Sequence, residues 1–171
     1  MTQGIKEQRL FFIDTELFDN GTAIRGGVII TDGETKPYEF RCTSPIRPTA
    51  LQRVLYGDTL DEHIHIELVG IPLLKAAKEE PSLVIVRKPV LLNVRPKVSV
   101  PVVLAASRGV GSSGGDKQAR LVAHAEFPAE ADSAQAMLAK LMQKRDLMEP
   151  FERLRVALTE AHKQRIGETT T

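Results

Sequence analysis

A carboxylate at the end of an apolar run is the clearest opening for chemistry in this chain. Asp14 follows Leu10-Phe11-Phe12-Ile13, a run with the pattern of a strand buried on both faces. An acid held there either caps the following turn or serves as a rigid ligand for a hard divalent cation, which prefers oxygen donors. Two-metal phosphoryl transfer gathers such acids from several elements. The second opening is a run of basic residues. Between Pro81 and Arg120 stand Arg87, Lys88, Arg95, Lys97, Arg108, Lys117 and Arg120, with Asp116 as the only acid, a net +6 over forty residues. Asp58 to Glu80 has the opposite bias, six acids against Lys75 and Lys78. A basic stripe tracks phosphates and releases counterions as it binds. The same asymmetry equally serves an acidic partner, or pairing with the acidic segment inside the fold. No aromatic residue interleaves the stripe, which argues against single-strand recognition by stacking.

Other constellations weigh less. Gly109-Val110-Gly111-Ser112-Ser113-Gly114 has dinucleotide-loop spacing, but the residues after it read as a strand rather than the helix that would hold a pyrophosphate. It also lacks the Gly-Lys-Ser/Thr ending of a P-loop, so 108–116 reads as a flexible loop. His63 and His65 lie two apart in a helical stretch, about 200° apart around the axis, and cannot share one metal. They read as a solvated face. No G-x-S-x-G elbow is present, and Cys42 reads as a small core residue. Ser44 to Gly57 packs two prolines with Arg47, Arg53 and Tyr56, a density that suits a defined surface for a partner or an anion.

These residues need elements to place them. The pattern predicts a strand over 9–17, a turn at Asp19-Asn20-Gly21, and a strand through Gly26 to Thr31. A type I′ hairpin at Asp32-Gly33 and a returning strand over 36–43 complete a three-stranded antiparallel meander. Leu51, Val54 and Leu55 then mark a short helix after Pro48. A second helix runs from Leu60 and is kinked at Gly70-Ile71-Pro72. Leu83 to Val86 reads as a buried strand, and 90–106, with Pro96 and Pro101, as an edge strand or irregular excursion. A strand over 121–127 precedes a C-terminal helical pair. The first of these starts at an Asp132 or Ser133 cap, and the second carries Phe151, Leu154 and Leu158 inward. The fold class is α+β (or α/β), with residues 1–166 as one domain and 167–171 as a disordered tail.

Length and composition set the outer bounds. A chain of 171 residues buries about two-thirds of its unfolded surface and needs no staple. Cys42 is the only cysteine, which excludes a disulfide framework or a multi-cysteine zinc site. The net charge of +1 points to no class of partner, and no apolar run reaches membrane-spanning length. The reading is a soluble, cytoplasmic chain with no membrane partner.

The order of elements carries a resemblance. A strand bearing Asp14, a two-stranded hairpin, helices, then Leu83-Val84-Ile85-Val86 resembles the opening of an RNase H-like fold. Over residues 9–88, Glu67-Leu68-Val69-Gly70-Ile71-Pro72-Leu73-Leu74 followed by Pro81-Ser82-Leu83-Val84-Ile85-Val86 is similar in layout to the endonuclease V family. In that family an Asp on the first strand, a Glu before the helix and an Asp after the fourth strand bind the metal. The resemblance therefore implies Asp14 and Glu67 in the first two places, with Mg2+ or Mn2+ as the cofactor of a catalytic member. Arg87-Lys88 stands where the third acid belongs, which implies a degenerate, non-catalytic member. The leading expectation is thus a non-catalytic domain that works with DNA or RNA inside a complex of protein subunits. There the stripe from Arg87 to Arg120 contacts phosphate. One alternative is a protein–protein adaptor that uses the Arg47–Tyr56 segment and the C-terminal helices. Another is a metal-dependent nuclease that takes its last acid from Glu126 or Asp116.

Overall fold

The computed structural model describes residues 7–107 and 119–168. Six strands form one mixed sheet in the order β3-β2-β1-β4-β5-β6. β1 (Leu10–Phe18), β2 (Ala23–Thr31) and β3 (Pro37–Cys42) are the antiparallel meander. Past them come helix α1 (Ala50–Tyr56), a 3-10 turn, α2 (Leu60–His63), a π-helical segment (Ile64–Gly70) and α3 (Ile71–Ala76). β4 (Leu83–Val86) pairs parallel with β1. After α4 (Pro89–Leu92), β5 (Val102–Ala106) runs parallel to β4, and β6 (Arg120–Ala123) closes the edge antiparallel to it. α5 (Glu130–Lys144) and α6 (Glu149–Lys163) complete the chain. The architecture is α+β, with a mixed sheet between two helical layers. No helix among the described residues is long and apolar enough to cross a membrane.

The continuous apolar run of β1 follows from its position. Leu10, Phe11, Phe12 and Ile13 are all buried because helices cover both faces. Alternation sends Leu10 and Phe12 to the layer of α5 and α6, where Phe12 meets Phe151 edge-on at 5.4 Å. Phe11 and Ile13 face the other way, into the layer built by the π segment, α3 and α4. Two adjacent glycines on β2 let both layers close. A Cβ on Gly26 would lie 2.2 Å from Val69 Cγ1 of the π segment, and one on Gly27 would lie 2.8 Å from Leu158 Cδ2 of α6.

Several local expectations need correction. The β2–β3 connection is a five-residue loop rather than a two-residue type I′ turn. Asp32 Oδ1 accepts from the backbone of both Glu34 and Lys36, and the positive φ falls on Thr35. β5 is an interior strand, because Pro96 sits in a 3-10 turn and Pro101 precedes the strand, its carbonyl accepting from Val84. β6 stops at Ala123 instead of reaching Phe127. α5 begins at Glu130 without a side-chain cap. Its first turn is anchored instead by Glu130, which takes Arg95 Nε at 2.6 Å and Val102 N at 3.2 Å. The expected break at Gly70-Ile71-Pro72 is a run of wider turns, with Ile71 N donating to Ile66 O. A five-residue hydrogen bond gives the Pro72 ring room that a regular turn would deny it.

The tight approach at Gly26 yields a paired test. Gly26→Ala should lower stability by about 2 kcal/mol through overpacking, read as a reduced urea midpoint. Adding Val69→Ala should recover part of that loss, and strict additivity of the two losses would disprove the contact.

Candidate functional site at the carboxyl ends of β1 and β4

β1 and β4 run parallel with Ile13 level with Val86, so Asp14 and Arg87 leave the sheet side by side. The site grows from that register. Asp14 is 1% exposed and stands opposite Gly27, the residue against which Leu154 and Leu158 of α6 pack. Isolated, such a carboxylate would be costly to ionise; here two cations meet it. Lys88 Nζ donates to Asp14 Oδ1 at 2.8 Å and to Thr15 Oγ1 at 2.9 Å, and also reaches the Thr15 carbonyl. All three ammonium protons are thus spent on β1. Arg87 Nε lies 2.6 Å from Asp14 Oδ2, an ion pair whose N–H does not point at that oxygen, leaving it without a hydrogen bond. Arg87 Nη2 reaches Glu16 Oε1 at 3.3 Å, so one guanidinium bridges two acids on the same face of β1.

A histidine completes the cluster from the other layer. His65, 6% exposed, places Nε2 3.0 Å from Thr15 Oγ1 and Nδ1 2.8 Å from the Asp61 carbonyl. One tautomer satisfies every atom: Lys88 donates to Thr15, the Thr15 hydroxyl donates to His65 Nε2, and Nδ1–H donates to Asp61. Such a chain polarises itself from the ammonium inward. Beside it opens a cleft of about 390 Å³, walled by Leu17, Ile24 and Val90, with Lys88 and His65 at its polar end. The expectation that His65 lies on a solvated face is therefore corrected. Counting 3.6 residues per turn misplaces it, because the helix changes to π geometry at Ile64.

The other residues singled out in the sequence disperse. Glu67 belongs to the π segment, which covers the face of the sheet opposite to that of Asp14, so the structure does not bring these two acids together. Glu67 bonds Lys97, whose ammonium holds the carboxyl below the usual carboxylate range. Arg95 is a joint between β5 and α5: besides Glu130, it donates to Val98 O and stacks on Phe127 with 3.6 Å from Cζ to the ring centre. Arg120 is exposed on the edge strand β6, while Arg108, Lys117, Asp116 and the 108–116 loop lie outside the described residues. Glu126 is exposed beside His124. Arg47 turns to Asp19 at 2.6 Å, where His162 also bonds; the hydrogen bonds from His162, first, and from Arg47 hold the Asp19 carboxyl below its ordinary value. Tyr56 stacks on His63 at 4.5 Å, and Arg53 is exposed on α1.

A divalent cation does not fit this arrangement. Among the described residues no three of His, Cys, Asp or Glu are gathered to hold one. The buried acid that would begin such a site already has a charge partner at each oxygen.

Comparison with solved structures locates the fold. The endonuclease V from Streptomyces avermitilis superposes with a TM-score of 0.50 at 15% identity, covering 94% of this chain and 85% of that one. This is an RNase H-like fold. Human ENDOV gives a TM-score of 0.41 at 14% identity over 61% of this chain and 47% of its own. No protein-family profile matches the sequence, and no curated protein matches it. The six-stranded mixed sheet therefore agrees with the layout expected from residues 9–88, and extends it through β5, β6 and the C-terminal helices.

The ion cluster makes an unusual prediction about stability. An acid kept for an absent cation is a source of strain, and its amide variant should fold more stably. Asp14→Asn here should instead cost about 2–3 kcal/mol, because it strips Arg87 and Lys88 of a buried counter-charge. A denaturant midpoint equal to or above that of the parent would overturn the assignment.

Proposed function

We propose that this chain is a non-catalytic RNase H-like domain that associates with nucleic acid within a larger complex. The carrying observation is the occupation of the buried Asp14 carboxylate by Arg87 and Lys88. Two fixed cations neutralise the acid, and no ligand set for a metal gathers around it among the described residues. With metal-assisted chemistry unsupported, what favours nucleic acid is the fold, shared with a nuclease, together with a smaller basic set than the whole stripe. Arg87, Lys88, Arg95 and Lys97 are each committed to an acid of the fold. The phosphate contact then rests on Arg108 and Lys117, which lie between β5 and β6 in the chain, and on the exposed Arg120. Protein subunits would complete the assembly.

Anisotropy of labelled duplex DNA and RNA at two salt concentrations tests this reading. Affinity should fall with salt, and Arg108→Glu, Lys117→Glu and Arg120→Glu together should flatten the log–log slope by up to about three, at roughly 0.9 per phosphate contact on B-DNA. Incubation with magnesium or manganese should yield no cleavage. Cleavage that Asp14→Asn abolishes would instead establish a metal-dependent nuclease, and no binding at low salt would remove nucleic acid altogether.

α1 favours a second reading, a protein–protein adaptor. It buries no residue, and Leu51, Val54 and Leu55 are 66%, 78% and 71% exposed. Thr49 and Gln52 form a reciprocal capping box, so the helix end is held without help from the core. Replacing Leu51, Val54 and Leu55 by Ser should leave the thermal midpoint within the range of surface changes, about 0.5 kcal/mol per site, while reducing binding of a hydrophobic dye. A cooperative loss of stability would show that these side chains serve the fold.

A further inference from the structure

The free edge at β3 has a self-complementary pattern. β3 ends the sheet, with no strand beyond it among the described residues. Its backbone parity follows from two bonds to β2: Thr43 N donates to Gly26 O, and Asp32 N donates to Lys36 O. Antiparallel residues alternate between bonding inward and outward. With the bulge between Ile30 and Thr31, Glu39 and Arg41 therefore bond toward β2, and Phe40 and Cys42 present their N–H and C=O outward. The side chains alternate as well. Glu39 and Arg41 share one face and already form an ion pair within the strand. Tyr38, Phe40 and Cys42 share the other, with Tyr38 49% and Phe40 38% exposed and the Arg9 guanidinium 4.0 Å over the Tyr38 ring.

We infer that β3 pairs antiparallel with β3 of a second copy, around a two-fold axis through Phe40, to make one twelve-stranded sheet. In that register Phe40 meets its own counterpart as a hydrogen-bonded pair, using the outward backbone groups. Glu39 faces Arg41 of the other copy, and Arg41 faces Glu39, in the closer non-hydrogen-bonded positions where cross-strand charges interact best. A two-fold contact requires such self-complementarity, because one patch must recognise itself. Shifting the register by one residue would waste the outward donors, and shifting it by two would set like charges opposite one another. Pairing also covers two exposed aromatics and an unprotected strand edge. None of this depends on the chemistry at Asp14, which lies two strands away.

Sedimentation velocity of the full chain at micromolar concentration tests the pairing. The unaltered protein should be a dimer. Arg41→Glu alone, or Glu39→Arg alone, sets like charges opposite at both symmetric positions and should weaken association by about thirtyfold. Mixing these two variants should restore a dimer containing one copy of each. Phe40→Pro removes an outward N–H and the ring that pairing would cover, without breaking a bond to β2, and should give a folded monomer, as circular dichroism will verify. A monomeric parent protein, undiminished association of Arg41→Glu, or failure of the mixed variants to re-associate would each overturn the inference.

Discussion

The carboxylate of Asp14 is the group around which the rest of the site is arranged. A fully buried charge is tolerated only where partners are fixed in place, and here the fixing comes from sheet register. Parallel pairing of β1 with β4 sets Asp14 level with Arg87, and the next residue, Lys88, reaches the same carboxylate and Thr15 together. From Thr15 the polar chain crosses to His65 and ends on the Asp61 carbonyl, so one salt link on the α6 side of the sheet is coupled to the helical layer on the other. A strand end that could have stayed open for a ligand is instead a structural knot.

The same economy governs the other charges. Four of the seven basic residues of the stripe pair with acids of the same chain. Arg95 fastens α5 to β5 through Glu130, Lys97 meets Glu67, and Arg87 and Lys88 close the strand ends. The acidic bias of 58–80 and the basic bias of 81–120 are thus partly two sides of one internal complementarity. Also outward lie an apolar helix at α1 and an aromatic strand edge at β3.

Much of this was legible in one dimension. The meander, the buried strand at Leu83–Val86 and the inward face of Phe151, Leu154 and Leu158 follow from apolar period alone, because a sheet covered on both sides and an amphipathic helix leave different spacings. The chain order of Asp14, hairpin, helices and fourth strand was enough to suggest the RNase H-like layout. Periodicity failed where geometry changed without a change in composition. The π segment moved His65 inward, and the prolines at 96 and 101 flanked β5 instead of breaking it.

By itself, then, the sequence determined the elements, the covered faces of the sheet and the absence of a third acid after the fourth strand. Each of these is local, written in spacing and residue type. Only the tertiary structure decided that Arg87 and Lys88 turn onto Asp14, that Glu67 lies across the sheet from it, and that α1 buries none of its residues. Those outcomes depend on strand register and on which layer each helix joins, and pairings between residues some seventy positions apart leave no mark on local pattern.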